Sequence, residues 1–369
     1  MSILPKLLYC YKILYMKKVR ILSLDGGGMR GIIPATVLEY VEKKIIEKTG
    51  NRNARLADYF DLVAGTSTGG ILSAFYLTPS KTIFDDDPST KYRASEALDF
   101  YANDGYKIFN QSKRKSWFGL RQLFNAAKYS PKELEKILHK EFQYMQIEEL
   151  LKPCIITTYN MLSKSSFFFS SREPKEKTRE FYVKDVLRST SAAPTYFPPA
   201  FIKNLMSEEE MINIDGGVFA NNPAMCAYSE ARATDFNDIS FPGAKDMLIL
   251  SIGTGGGQFE LPKVQKSKRW GILPWATSIP NIMMDGSIDT VDYQMKNIFD
   301  SLNQEDKLNY KRIDVPKNKR TYSSDMADAS PENVEALKKA GKEALKAAQS
   351  QNNNEHSLDD FIQQLIDNN

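Results

Sequence analysis

Ser67 stands in Gly65-Thr66-Ser67-Thr68-Gly69, between an apolar run ending at Gly65 and another beginning at Ile71. A serine between glycines at this spacing suits a sharp turn from a strand into a helix, with the hydroxyl at its apex. The glycines admit a steep backbone and leave space beside the hydroxyl, and Gly70 lets the helix start pack closely. Such a turn can present a nucleophile, or it can be a tight loop with a solvated serine. A second stretch, Asp25-Gly26-Gly27-Gly28-Met29-Arg30-Gly31, follows a short apolar run and opens a helical pattern. Backbone N–H groups in a loop of that kind make an anion site, and Arg30 adds a fixed positive charge. A third, Ile212-Asn213-Ile214-Asp215-Gly216-Gly217, offers a carboxylate in a glycine turn. The two glycines would let Asp215 point into a site; a surface hairpin is the plainer alternative.

A hydroxyl nucleophile needs a base, and the chain has two histidines, His139 and His356. His139 lies in a charged helical stretch and His356 in a polar tail, whereas a catalytic imidazole belongs on a loop beside the nucleophile, held by a carboxylate. The base is therefore expected not to be histidine, and a two-histidine metal site is equally poor. Asp215 can serve only if held within hydrogen-bond reach of Ser67 and tuned upward by its surroundings. The N–H groups of the 25–31 loop, with that of Thr68, would then supply an oxyanion hole. Gly26, Gly28 and Gly31 also fit a dinucleotide fingerprint. That reading requires an acidic residue at the end of a second strand about 20 residues on, a distance that falls inside the charged helix around Glu42–Glu47. A structural glycine turn is the remaining alternative.

These turns need a scaffold. Val19–Leu24, Phe60–Ala64, Cys154–Tyr159, Ser166–Ser170 and Met247–Ile252 read as strands. Helical spacing appears over Ile32–Lys48, Gly70–Leu77, 93–109, 130–150, 182–188 and 280–300. Alternating strands and helices from 19 to 257 imply an α/β domain, a three-layer sandwich with a largely parallel central sheet flanked by helices. Glycine turns follow apolar strands at 25–31, 65–69 and 253–257, and strand C-terminal ends are where such sheets place their sites. Ser330 before Pro331 and Glu332 has the chemistry of a helix N-cap.

The net charge of +3 favours neither nucleic acid nor a membrane as a bulk partner. Three cysteines, far apart and without a C-x-x-C, argue against a disulfide framework or a structural zinc and for a reducing compartment. Residues 1–16 are apolar but broken by Lys6 and Lys12. They are too short to span a bilayer and lack a small-residue cleavage site, so they read as an N-terminal extension, with 17–350 as the domain and 351–369 as a polar linker and short helix. The expected location is cytoplasmic or peripheral to a membrane. Two basic-aromatic runs, Lys113–Arg121 and Lys263–Trp275, could touch anionic headgroups; a solvated loop for the first and packed tryptophans, Trp270 and Trp275, for the second are the simpler expectations.

Asp25-Gly-Gly-Gly-x-Arg-Gly31, Gly65-Thr-Ser-Thr-Gly-Gly70, Ser191-Ala-Ala-Pro-Thr-Tyr-Phe-Pro-Pro199 and Asp215-Gly-Gly217 occur in this order. The set resembles the patatin-like phospholipase family, with further likeness to plant patatins in Arg55–Asp61, Leu250–Gly255, Trp270–Val291 and Asp325–Ser330, covering roughly 18 to 350. The resemblance implies a lipid acyl hydrolase with a Ser–Asp dyad. Ser67 would be the nucleophile and Asp215 its base, with Gly27 and Gly28 as oxyanion donors and Arg30 beside them. No metal or organic cofactor is implied, and the substrate would be a phospholipid or other glycerolipid met by transient contact with a membrane surface. An acyltransferase using the same acyl-enzyme and a catalytically idle storage or lipid-binding protein are the other functions compatible with these motifs.

Overall fold

Residues 17–80, 89–109, 127–172, 180–236, 239–256, 271–350 and 357–369 are described by the computed structural model, the backbone alone for 272–274 and 276–277. The expectations for 1–16, for Lys113–Arg121, for Lys263–Trp270 and for the linker at 351–356 lie outside the described residues.

Eight strands form one sheet: β1 (Val19–Leu24), β2 (Leu62–Gly65), β3 (Cys154–Asn160), β4 (Ser165–Ser170), β5 (Ala200–Lys203), β6 (Glu210–Asp215), β7 (Met247–Ile252) and β8 (Tyr310–Ile313). The order is β5-β6-β3-β2-β1-β7-β8, with β4 also on β3. The run β3-β2-β1-β7-β8 is parallel, as the sequence leads one to expect, while β4, β5 and β6 pair antiparallel. Every residue of β1, β2 and β7 is buried, because side chains alternate into two cores. Leu22, Leu24, Val63, Ile156, Leu248 and Leu250 face one core, under the helices Ile32–Thr49, Thr68–Leu77 and Pro331–Gln349. Val19, Ile21, Leu62, Ile155, Met247 and Ile249 face the other, under Ala224–Arg232 and Ile272–Asp300. A strand covered on both faces reads as an unbroken apolar run, which is why β1 and β7 stand out in the sequence.

Arg20 is the charged exception in β1. Its Nε and Nη2 form a fork with Asp61 at 2.9 and 2.8 Å, and its N–H bonds the same carboxylate at 2.9 Å. Burial works to raise the Asp61 acid, but the Arg20 bonds override it and hold it below its ordinary value. The pair locks β1 to the entry of β2, so it sets the register that brings the two glycine turns together. Asp61→Asn leaves a buried guanidinium half-paired and is expected to cost ~3–5 kcal/mol of stability. The loss should be largest at neutral pH and shrink in acid, where the wild-type carboxylate is itself protonated; equal melting curves at pH 7 would contradict it.

Three helices extend or sharpen the expected elements. Ile272–Asp300 runs 29 residues with Pro280 inside it, longer than the 280–300 pattern. Trp275, expected to pack inside, is 44% exposed. Ser330 caps Pro331–Gln349 by accepting the Asn333 N–H, and the helix Leu358–Asp367 packs its Phe361 and Ile362 into the first core. No described helix is long and apolar enough to cross a membrane.

Candidate active site

β2 ends at Gly65 and the next helix begins at Thr68, so Ser67 sits on the two-residue corner between them. Its backbone is at φ 53°, ψ −121°, a strained conformation for a residue with a Cβ. The corner is tight enough that a Cβ at Gly65 would collide with the Gly69 carbonyl, and one at Gly69 with the Leu24 carbonyl. That close approach is the physical content of the glycine spacing read from the sequence. The strained serine is held by its N–H, which donates to Thr190 Oγ1 at 2.8 Å.

Register explains how Asp215 arrives. Gly65 pairs with Ile156, and two residues further along β3 Thr158 pairs with Asp215. Asp215 therefore stands level with residue 67, with one strand between. Thr66 ties the two turns: its hydroxyl donates to the Ala220 carbonyl at 2.6 Å and lies 2.7 Å from Thr157 Oγ1. A Cβ at Gly216 would lie 2.6 Å from the Thr157 carbonyl oxygen, so the turn after β6 presses directly on β3.

Asp215 is buried, only 2% exposed. Its Oδ1 accepts the Gly217 N–H at 2.7 Å, while Oδ2 has no hydrogen bond of ordinary geometry. Burial pushes the acid up to about 7, against the opposing pull of the nearby Ser67 hydroxyl and the Gly217 N–H. Ser67 thus approaches the carboxylate without a fully aligned bond, a looseness common in resting sites. A carboxyl with that acidity can take a proton near neutral pH far better than an ordinary aspartate.

The glycine loop meets this pair from β1. Gly26, Met29 and Arg30 spend their N–H groups on the carbonyls of Asn221, Met326 and Gly27. The N–H groups of Gly27, Gly28 and Thr68 make no hydrogen bond among the described residues. A Cβ at Gly26 would sit 3.3 Å from the Ser67 Cβ, which places the loop beside the serine. Arg30 Nε donates to the Gly27 carbonyl at 3.3 Å, so the arginine orients that peptide. Gly31 packs against Thr68 and Tyr101. The Thr68 N–H opens the ten-residue helix Thr68–Leu77, and with the unpartnered N–H groups of Gly27 and Gly28 on the neighbouring loop it favours negative charge there.

A cleft opens at Ser67 and Gly28, walled by Phe100, Ile108, Phe109, Leu134 and Phe197. Its lining suits an acyl chain more than a sugar or nucleotide. One wall carries a π-helical turn, Tyr101–Gly105, a feature that recurs at functional sites; there the Tyr101 hydroxyl bonds Thr68 Oγ1 and the Thr68 carbonyl. His139 lies elsewhere, in the helix Lys132–Phe142 with its ring against Tyr144. Among the described residues no cluster could hold a metal ion. Thr190, Asn221, Tyr101 and Thr254 were not singled out from the sequence, although Thr254 lies in the glycine turn after β7.

The strand ends of this α/β sheet thus gather a strained serine, a buried carboxylate and free backbone donors. The chain belongs to the patatin-like phospholipase family: the family model described as "Patatin-like phospholipase" matches residues 22–228. It is 35% identical over 356 residues to Patatin-like protein 2 of Arabidopsis thaliana, covering 90% of this chain and 84% of that one. It is 33% identical to a Solanum tuberosum protein named Probable inactive patatin-3-Kuras 1, covering 91% and 89%. Among solved structures, VipD from Legionella pneumophila aligns at 14% identity and a TM-score of 0.36, covering 89% of this chain and 66% of that one. Membership in the family supports lipid acyl hydrolysis as the class of activity.

Proposed function

We propose that this chain is a phospholipase A or lysophospholipase-type hydrolase of glycerolipid esters that works through a Ser67–Asp215 dyad and an acyl-enzyme. The observation that carries the reading is the buried Asp215 carboxyl standing level with Ser67 across one strand, with unpartnered backbone N–H groups beside the serine. Ser67 Oγ bonds to the ester carbonyl carbon as its proton passes to Asp215. The carbonyl oxygen, now anionic, takes up the free N–H groups of Gly27 and Gly28, with that of Thr68 at the helix end. Collapse breaks the ester C–O bond, Asp215 returns the proton to the departing alcohol, and the acyl chain stays on Ser67. Water then repeats the sequence, deprotonated by Asp215, and fatty acid leaves.

A lipid surface is the proposed partner. On the Ile272–Asp300 helix, Trp275, Ile279, Ile282 and Met283 are exposed at spacings that share one helix face. Met284, next in line, would lie 3.3 Å from a Cβ at Gly217, so this helix rests on the Asp215 turn. The basic run Lys263–Arg269 precedes it in the chain. Fatty acid release from phospholipid vesicles, identified by mass spectrometry across a lipid panel, tests the reading; release from none of them would end it. Ile279→Asp with Met283→Asp should lower the vesicle rate ~10-fold or more and leave hydrolysis of a short soluble ester intact. Equal losses on both substrates would contradict the surface contact.

A further inference from the structure

The third glycine turn, Gly253–Gly256 after β7, has no part in the chemistry above, yet it reaches the oxyanion loop. Thr254 is 1% exposed, and its Oγ1 donates to the Gly26 carbonyl at 2.6 Å. The other side-chain donor to that carbonyl, Asn221 Nδ2, is distant at 3.4 Å. The Gly26 carbonyl and the Gly27 N–H belong to one planar trans peptide and point in opposite directions. Holding the oxygen therefore aims the N–H. The next peptide is treated alike: the Gly27 carbonyl is held by the N–H and Nε of Arg30, which aims the Gly28 N–H. A Cβ at Gly27 would collide with Thr254 Oγ1 and lie 2.7 Å from its Cβ, so the threonine packs directly on the donor it orients.

Thr254 is itself clamped on both sides. The Gly253 N–H bonds the Ile313 carbonyl and the Gly255 N–H bonds Asp314 Oδ1, each at 2.8 Å. The Tyr322 hydroxyl holds the Gly255 carbonyl at 2.7 Å. Arg312, on β8, joins Asp314 at 3.2 Å to Asp25 at 2.6 Å. The chain of bonds thus closes from the first residue of the glycine loop, through β8 and the turn after β7, back to Gly26.

We infer that Thr254 is the positioning residue that aims the Gly27 N–H into the oxyanion hole, resting on the serine hydrolase reading above. It touches neither substrate nor leaving group and acts through the Gly26–Gly27 peptide. Thr254→Val keeps the shape and removes the donor. The expected result is a kcat reduced ~10–100-fold with KM within about twofold. An alkyl trifluoromethyl ketone, whose adduct on Ser67 carries the same oxyanion, should bind weaker by a similar factor. Inhibition by a long-chain fatty alcohol, which carries no oxyanion and reads only the cleft, should not change. Thr254→Ser restores the hydroxyl and should recover most of the rate.

Three results would overturn the inference: a folded Thr254→Val enzyme with wild-type kcat and ketone affinity, a serine variant as slow as the valine one, or parallel weakening of ketone and fatty alcohol. If circular dichroism shows the valine variant misfolded, Thr254→Ala carries the same comparison. Ser67→Ala run alongside separates the two levels. An inert alanine variant beside an unimpaired Thr254→Val overturns only the role of Thr254, whereas a fully active Ser67→Ala overturns the serine reading and this inference with it.

Discussion

Ser67→Ala is expected to lower kcat by at least ~10³-fold with KM little changed, because the nucleophile is removed while the cleft and the oxyanion donors remain. The protein should stay folded. Ser67 carries few of the contacts that hold the corner: its N–H bond to Thr190 survives substitution, and Thr66 keeps its ties to β3 and Ala220. A second variant separates chemistry from strain. Ser67→Gly is as inert as the alanine variant, but glycine adopts φ 53° without a Cβ penalty. It should melt higher than Ser67→Ala, by roughly 1 kcal/mol in stability. Equal stability of the two would mean that the corner stores no strain at this residue; residual activity near wild type in either would remove Ser67 from the mechanism.

Asp215→Asn carries the second large effect, in two opposite directions. An amide cannot accept the serine proton, so the rate should fall ~10³-fold or more. In the wild type the base form is needed, and burial puts the acid at about 7. The rate should therefore drop ~10-fold per pH step below that value and level off above it, a limb that the asparagine variant lacks. Stability runs the other way. Because the folded acid is raised above its ordinary value, the folded state holds a proton between about pH 4 and 7 that the unfolded chain has lost. The contribution is intact below about 4, fades as pH rises towards 7, and above 7 leaves a buried charge costing on the order of 2–4 kcal/mol. Asparagine removes that cost. The variant should melt above the wild type at pH 8, and the gap should close towards pH 4. A lower melting point for Asp215→Asn at pH 8 would show that the carboxylate supports the fold and is not held there against it.

Much of the scaffold was legible because burial on both faces leaves a plain mark. β1 and β7 have the bounds their apolar runs suggest, and the Ser330 cap lies where its side-chain chemistry places it. β8 escaped notice because Lys311 and Arg312 make Tyr310–Ile313 look like a loop; Arg312 is tolerated there because Asp25, far away in sequence, and Asp314 neutralise it. β5 is a four-residue strand, Ala200–Lys203, directly after Pro198 and Pro199, with Phe201 76% exposed, too short and too close to the prolines to stand out as a strand. The helical pattern read over 280–300 is the C-terminal part of Ile272–Asp300, which continues across Pro280.

The candidate site divides in the same way. Its glycine turns could be read because close backbone approach demands glycine at fixed spacing. Strand direction could not: β6 delivers Asp215 antiparallel to its neighbour, and nothing local to residues 212–217 encodes that. Thr190, Asn221 and Thr254 are ordinary polar residues whose importance lies wholly in which distant carbonyl or N–H they meet.

The central claim is that an acyl group rests on Ser67 with Asp215 as base, and it can be measured by trapping. Wild type, Ser67→Ala and Asp215→Asn would each be mixed with a long-chain alkyl fluorophosphonate, digested and mapped by mass spectrometry. The expected result is one adduct on the wild type, on the peptide containing Ser67, formed much more slowly in Asp215→Asn and absent in Ser67→Ala. An adduct on any other residue, or labelling of Asp215→Asn at the wild-type rate, would contradict the dyad.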